Sequence, residues 1–295
     1  MLKEKAVFFS VIIPLFNKEV EINATINSVL NQSFPNFELI VVNDGSTDKS
    51  LNKISIINDD RLKIIDKVNE GVSIARNVGI FSALGSYVVL LDADDILHSE
   101  YLEEIKHLID EFKICKIFAT NYSITTNSHV SEMSFNRFIV DNYFELAMYM
   151  PFLTSSSIVI NKLCFDEEMK FNSSYTHGED LDMWARLIIK YKYIGYSERK
   201  LVSYIHSSNN RSFLKLPEPQ KHFAYHFDFN DKNLQELNNY YLQQVVLIMW
   251  VYLKNFKVNF FLLFAMKHKR YILKIFYGIA INIFYNRYKI ALKLK

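Results

Sequence analysis

The part of the chain best equipped for chemistry is four residues long. Asp92-Ala93-Asp94-Asp95 follows directly on the apolar run Tyr87–Leu91. Side chains two apart on an extended chain point the same way, so Asp92 and Asp94 reach the rim of a sheet together. Paired hard oxygen donors suit Mg²⁺ or Mn²⁺, and an ion held by one or two carboxylates is commonly completed by substrate phosphates. The pattern points to a metal-dependent enzyme acting on a diphosphate-bearing donor. A second carboxylate pair, Glu179-Asp180, stands at the start of a helical pattern. By itself such a pair is ordinary favourable charge at the positive end of a helix, just as a lone Asn43-Asp44-Gly45-Ser46 is an ordinary turn.

The elements that must carry these groups are readable from periodicity and turn signals. Val7–Pro14 reads as a buried strand, and Phe37–Val42, Leu62–Asp66 and the buried apolar run Tyr87–Leu91 as a second, third and fourth. Val20–Gln32 reads as a helix with Ile22, Ile26, Val29 and Leu30 on one face. Ser46 or Thr47 is placed to cap a short helix running to Ile57, and Ser73–Leu84 and Tyr101–Phe112 are further helices. Strands alternating with single helices imply a parallel sheet covered on both faces, with ligands beyond the carboxyl ends of its strands. Phe16-Asn17, Asn43-Asp44, the segment from Asn69 to Arg76, and Asp92 to Asp94 should therefore converge on one crevice. The first turn reads Pro14-Leu-Phe-Asn-Lys18, with neither a dinucleotide glycine fingerprint nor a Gly-Lys-Ser/Thr phosphate loop. Ile114–Ala119 and Ser157–Ile160 look like further strands, separated by an aromatic stretch without a readable pattern. Asp180–Tyr191 is helical, with Trp184, Leu187 and Ile188 inward, and residues 231–295 read as several helices.

Half of the 295 residues are hydrophobic and 15% aromatic, enough for a substantial core. Cys115 and Cys164 lie far apart without metal-ligand spacing, which fits buried thiols in a reducing compartment. Lys3 and Lys5 before Ala6–Phe16 loosely suggest a signal peptide. Glu4, Pro14 and the lack of a small-residue cleavage site argue instead for a first strand.

Charge is distributed very unevenly. All 32 acidic residues and 24 of the 34 basic ones lie in residues 1–236, leaving −8 there and +10 in residues 237–295. No stretch of that tail offers about 20 continuous apolar residues, so a spanning helix is not expected. Its helices either pack on the catalytic body with basic outer faces or also lie on an anionic membrane leaflet, and the charge favours the second reading. Nothing in the acidic body suggests nucleic-acid binding.

Val11-Ile-Ile-Pro-Leu-Phe-Asn17, Ser28-Val-Leu-Asn-Gln32, Glu38-Leu-Ile-Val-Val-Asn-Asp44-Gly-Ser46, Asn69-Glu-Gly71, Ala75-Arg-Asn77, Asp92–Asp95 and Gly178-Glu-Asp180 occur in the order typical of family 2 glycosyltransferases. The chain resembles that family over residues 7–206. The resemblance implies a GT-A, Rossmann-like α/β fold, a mostly parallel sheet flanked by helices, and so a catalytic domain in residues 1–215. It does not cover the last third, where the change of composition after Pro217 and Pro219 marks a basic, aromatic-rich helical C-terminal extension in residues 216–295.

By the same similarity, Asp44 matches the carboxylate that accepts from the uracil ring. Pro14 and Phe16 would line the base pocket, and Arg76 would touch base or phosphate. Asp92 matches the ribose- or metal-proximal carboxylate, Asp94 the direct metal ligand on the donor diphosphate, and Asp180 the catalytic base. His206 falls where many relatives place a metal or diphosphate contact, although Tyr204 stands where an Arg is usual; Arg211 is a modest phosphate candidate. The activity implied is an inverting hexosyl or N-acetylhexosaminyl transfer from a UDP-sugar, with Mn²⁺ or Mg²⁺. The acceptor would be a hydroxyl of a bacterial surface or lipid-linked glycan, as in lipopolysaccharide or capsule synthesis, at the cytoplasmic face of the inner membrane. The rival readings are a transferase loading sugar onto polyprenyl phosphate, which needs no base at Asp180, and an inactive sugar-nucleotide-binding or membrane scaffold.

Overall fold

The computed structural model describes residues 7–123, 135–149, 152–204, 216–227 and 235–277. They form two compact units. The first comprises described residues up to 143, 152–173 and 179–204; the second comprises 144–149, 174–178 and the described residues from 216 onward. Two short segments of the N-terminal stretch, 144–149 and 174–178, thus belong to the second unit.

The first unit is built on a sheet. β1 (Phe9–Leu15), β2 (Phe37–Asp44), β3 (Leu62–Lys67) and β4 (Tyr87–Leu90) run parallel in the order β3-β2-β1-β4. They are joined through α1 (Ile22–Leu30), α2 (Ser50–Ser55) and α3 (Val72–Ser82). The near-continuous apolar run of β1 is explained by burial on both faces. Phe9, Val11, Ile13 and Leu15 share a core with Ile22, Ile26 and Val29 of α1 and with Tyr101, Leu102, Ile105 and Leu108 of α4 (Tyr101–Glu111). Ile12 faces α3, which comes so close that a Cβ on Gly79 would lie 2.4 Å from Ile12 Cγ2. Glycine permits that approach and so sets how near α3 sits to the strands whose ends carry the polar loops.

Beyond β4 the sheet becomes mixed. β8 (Ile158–Asn161) pairs antiparallel with β4 and with β6 (Ile117–Ser123). β6 then pairs parallel with β9 (Ile194–Ser203), which also carries β5 (Ile96–Leu97) and β7 (Arg137–Val140) antiparallel. The parallel run expected from the sequence accounts for the first four strands, and the second half of the sheet is largely antiparallel. Glu104 of α4, fully buried, ties this region together by accepting from Arg137 Nε at 2.8 Å and pairing with Arg199 NH1 at 3.3 Å. After α5 (Tyr143–Tyr149), α6 (Glu179–Tyr191) buries Trp184, Leu187 and Ile188, the residues its periodicity pointed inward.

One local expectation is corrected. Ser46 and Thr47 do not cap α2, which starts at Ser50 with no side-chain cap on its preceding residue. Ser46 Oγ instead accepts from the backbone of Asn17 at 3.1 Å, and Asn17 Oδ1 accepts from Thr47 N at 2.8 Å. Their hydroxyls and amides splice the β2 loop to the β1 loop, a use of short polar side chains that competes with capping.

The second unit contains α7 (Gln235–Lys254) and α8 (Val258–Lys267). Tyr252 and Phe264 pack at 5.7 Å in its core, and Tyr252 donates to Pro217 O at 3.0 Å. Among the described residues no helix is long and apolar enough to cross a membrane.

Candidate active site

Parallel strands end together, so the loops after β1, β2 and β4 lie side by side. The β2 loop is fixed around Asp44, which is only 3% exposed. Its Oδ1 accepts from Lys67 Nζ at 2.6 Å and Glu70 N at 3.0 Å, and its Oδ2 from Gly71 N at 2.8 Å. The carboxylate is thereby aimed by the start of α3. Gly45 follows it at φ +67°, where a Cβ would also meet Asn69 N at 2.7 Å, so the turn needs glycine twice over. Pro14 lies beside Val42 in the β1–β2 ladder and is part-buried, while Phe16 stands 45% exposed just past the strand.

Arg76 of α3 is the hub of the next group. Its guanidinium is buried, with NH2 on Asp92 Oδ1 at 2.8 Å and NH1 on Glu179 Oε1 at 3.0 Å. The ring of Phe171 lies 5.2 Å from its Cζ, and NH2 also reaches Ser155 Oγ at 3.3 Å. Burial alone would discourage its charge, but the surrounding Asp92, Glu179 and Asp180 carboxylates outweigh that and raise its pKa above the ordinary value. Arg76 Nε is buried without a hydrogen-bond partner among the described residues.

Asp180, in the first turn of α6, responds in the opposite sense. Burial first, and then the adjacent Glu179 carboxylate, push its pKa from 3.8 up to about 7, against the pull of Arg76. Partial solvent access remains at Asp180. The structure therefore brings Arg76, Asp92 and Asp180 into one electrostatic cluster and adds Glu179 as a direct arginine partner, beyond a helix-end charge.

Asp94, two residues past Asp92, pairs with Lys18 Nζ at 2.6 Å, and both side chains keep slight exposure. Asp95 is buried and accepts from Ser156 Oγ at 2.5 Å, while Ser156 Oγ in turn accepts from Asp92 N at 3.1 Å. Asp95 thus serves the loop. Among the described residues no three His, Cys, Asp or Glu side chains are gathered into a metal cage. Asp92 and Asp94, on one loop and both reachable by solvent, fit the other mode of Mg²⁺ and Mn²⁺ binding, in which one or two carboxylates are completed by phosphate and water. His206 and Arg211 lie outside the described residues.

Sequence reasoning missed Lys18, Lys67 and the Ser155–Ser157 turn. Ser155–Ser157 opens β8 after a reciprocal cap with Thr154 and supplies both supporting hydroxyls. The run of small hydroxyl residues at 154–157 was the one available signal.

Carboxylates and a buried arginine at the ends of a half-parallel α/β sheet match the GT-A class of fold. The structure resembles Staphylococcus aureus TarS, residues 1–349, in complex with UDP-GlcNAc. The TM-score is 0.64 at 21% identity, over 82% of this chain and 66% of that one. The model for glycosyl transferase family 2 matches residues 10–167, more than half the chain. The chain belongs to that family. It is 29% identical over 215 residues to an uncharacterized glycosyltransferase of Rickettsia felis, covering 72% of this chain but 35% of that protein. It is 28% identical over 182 residues to the Escherichia coli UDP-Glc:alpha-D-GlcNAc-diphosphoundecaprenol beta-1,3-glucosyltransferase WfgD, covering 61% of this chain and 69% of WfgD. The chain thus spans about a third of the length of the Rickettsia relative.

Proposed function

We propose that the chain transfers a sugar, with inversion, from a UDP-sugar to a hydroxyl of a lipid-linked bacterial glycan. The observation that carries the reading is the Arg76–Asp92–Glu179–Asp180 cluster, in which one carboxylate is pushed to about pH 7. A carboxylate poised near neutrality, beside groups suited to phosphate and metal, is what a general base for an acceptor hydroxyl requires. UDP as the nucleotide is supported by the UDP-GlcNAc bound to TarS and by the donor in the name of WfgD, whose lipid-diphosphate acceptor suggests the acceptor class.

In this reading Asp44, held in place by Lys67 and two amides, accepts from the uracil N–H, while Pro14 and Phe16 flank the base. Asp92 orients the ribose end of the donor and keeps Arg76 in place. Asp94, with Asp92 beside it, would hold Mn²⁺ or Mg²⁺, which when bound neutralises the charge that builds on the departing diphosphate. Asp180 takes the proton from the incoming hydroxyl as the new glycosidic bond forms.

Peripheral contact with an anionic membrane belongs to the same reading. It is supported by the +10 charge of residues 237–295. Val258, Leu262 and Met266, spaced by four on α8, are 53%, 49% and 67% exposed near Lys254, Lys257 and Lys267. An apolar stripe flanked by lysines is the composition of an interfacial helix.

The test is a Mn²⁺-supplemented assay of UDP release and sugar transfer, with UDP-glucose and UDP-GlcNAc against a GlcNAc-diphospholipid acceptor. Acceptor-dependent UDP release with a glycosidic product supports the reading. Sugar delivered onto a lipid monophosphate instead would replace it, and nucleotide binding without turnover would leave a scaffold.

A further inference from the structure

The two carboxylates of the β4 loop have cations of different kinds. Asp92 faces the buried guanidinium of Arg76, which Glu179 and Ser155 also hold. Asp94 faces the ammonium of Lys18 at 2.6 Å, with the two side chains 14% and 13% exposed. The backbone of Lys18 is anchored: its N–H donates to Ser50 Oγ at 2.9 Å, and its carbonyl accepts from Ile22 N at 3.0 Å at the entry to α1. A fixed Cα carrying a flexible four-carbon stem and a point charge can move its charge by several ångströms without disturbing the fold.

We propose that Lys18 is the internal counter-cation of Asp94, and that a divalent ion and a nucleoside diphosphate displace it together. The proposal rests on the metal role given to Asp94 above. In the donor-free protein the ammonium competes with a divalent ion for the same carboxylate, so Mn²⁺ alone binds weakly. When the diphosphate arrives it supplies ligands to the ion and new anionic partners for the freed ammonium. Metal and nucleotide then tighten each other, and by linkage the factor is the same in both directions. The sequence pattern gives Lys18 no such role, since it lies in the first loop, 76 residues from Asp94.

The experiment is a titration of the full chain with Mn²⁺ alone, read by the loss of the free-ion electron paramagnetic resonance signal, repeated with saturating UDP. Lys18→Gln should raise affinity for Mn²⁺ alone by on the order of 10-fold, the scale of a typical coupling between sites. It should lower the UDP-induced tightening by a similar factor. Lys18→Arg keeps the charge and should stay near the parent in Mn²⁺ affinity, which separates competition from a general change in the loop. Parent-like Mn²⁺ affinity in Lys18→Gln, with Asp94→Asn defective, would overturn the Lys18 role and leave the metal assignment standing. If Asp94→Asn also binds Mn²⁺ and UDP like the parent, the metal reading falls and the proposal falls with it.

Discussion

Asp180→Asn separates the chemistry of the cluster from its architecture. The amide matches the carboxylate in shape, and its Oδ1 can still accept from Leu181 N, a bond of 2.8 Å in the parent. Loss of a general base lowers turnover by about 10²–10⁴-fold, or roughly 3–5 kcal/mol of barrier. Donor affinity should change little. The parent should lose kcat/KM below about pH 7 as Asp180 takes up its proton, and that acid limb should vanish in the variant. Stability should move the other way. Below pH 4 the group is protonated in both folded and unfolded chains and contributes nothing. Between about 4 and 7 the unfolded chain releases the proton while the folded chain keeps it, so the parent loses stability as pH rises. Above 7 the folded state holds an unfavourable buried charge. A shift from 3.8 to about 7 corresponds to about 4 kcal/mol at 1.4 per unit, and partial solvent access screens this to roughly 1–3 kcal/mol. Asn carries no such penalty, so the variant should melt several degrees higher than the parent at pH 8 and alongside it at pH 4. Turnover within a few-fold of the parent would refute the base assignment. Equal melting differences at the two pH values would refute the buried-charge argument behind it.

Asp94→Asn replaces an anionic ligand with a neutral amide and should remove most metal-dependent donor binding; unchanged Mn²⁺-dependent UDP affinity by calorimetry would refute that role. Asp44→Ala strands the amides of Glu70 and Gly71 and leaves the Lys67 ammonium only Glu70 and the Val68 carbonyl, so a stability loss of about 1–3 kcal/mol is expected. Its loss of affinity should be larger for UDP than for a non-uridine nucleotide, and equal losses would mean that Asp44 only supports the turn. Intact protein should co-sediment with anionic vesicles at low salt and release as salt rises; no binding at low salt would eliminate membrane contact. Truncation at residue 237 is the poorer test. α7 and α8 bury Tyr240, Met249, Tyr252 and Phe264, and Phe144 would lose the ring of Tyr240 that lies 5.6 Å away.

What was legible in the sequence follows from period and burial. β1, β2, β4 and α1 to α4 were readable because a doubly covered strand is a continuous apolar run and a helix on it repeats every three to four residues. β3, a partly buried edge strand, showed only the short apolar cluster Leu62, Ile64 and Ile65. β9 was missed for a local reason. Its middle is Glu198-Arg199-Lys200, and its register with β6 jumps from Thr120↔Ser197 to Asn121↔Lys200, so alternation fails where the ladder is irregular. β5, with two residues, carries no pattern at all. At the site, residues at strand ends could be named because topology alone brings them together. Their partners could not, since Lys18 meets Asp94 across 76 positions and Arg76 meets Glu179 across 103. Such pairs are decided by packing, and nothing periodic announces them.

The charge balance of the cluster links its parts. Asp92, Glu179 and Asp180 surround a single buried guanidinium, so the group carries an excess of negative charge whenever all three are ionised. Asp94 adds a fourth carboxylate whose countercharge is Lys18. One way to relieve the excess is to keep a proton on Asp180, an effect that adds to the burial that first raises its pKa despite the arginine. The other is to admit a cation. A nucleoside diphosphate adds further negative charge and would be repelled from such a site unless a divalent ion accompanied it. On the proposed reading the same excess that, with burial, favours a proton on Asp180 in the donor-free protein also favours a donor that arrives with its metal. Once that charge is neutralised, less opposes ionisation of Asp180, and the base becomes available when an acceptor hydroxyl has something to attack.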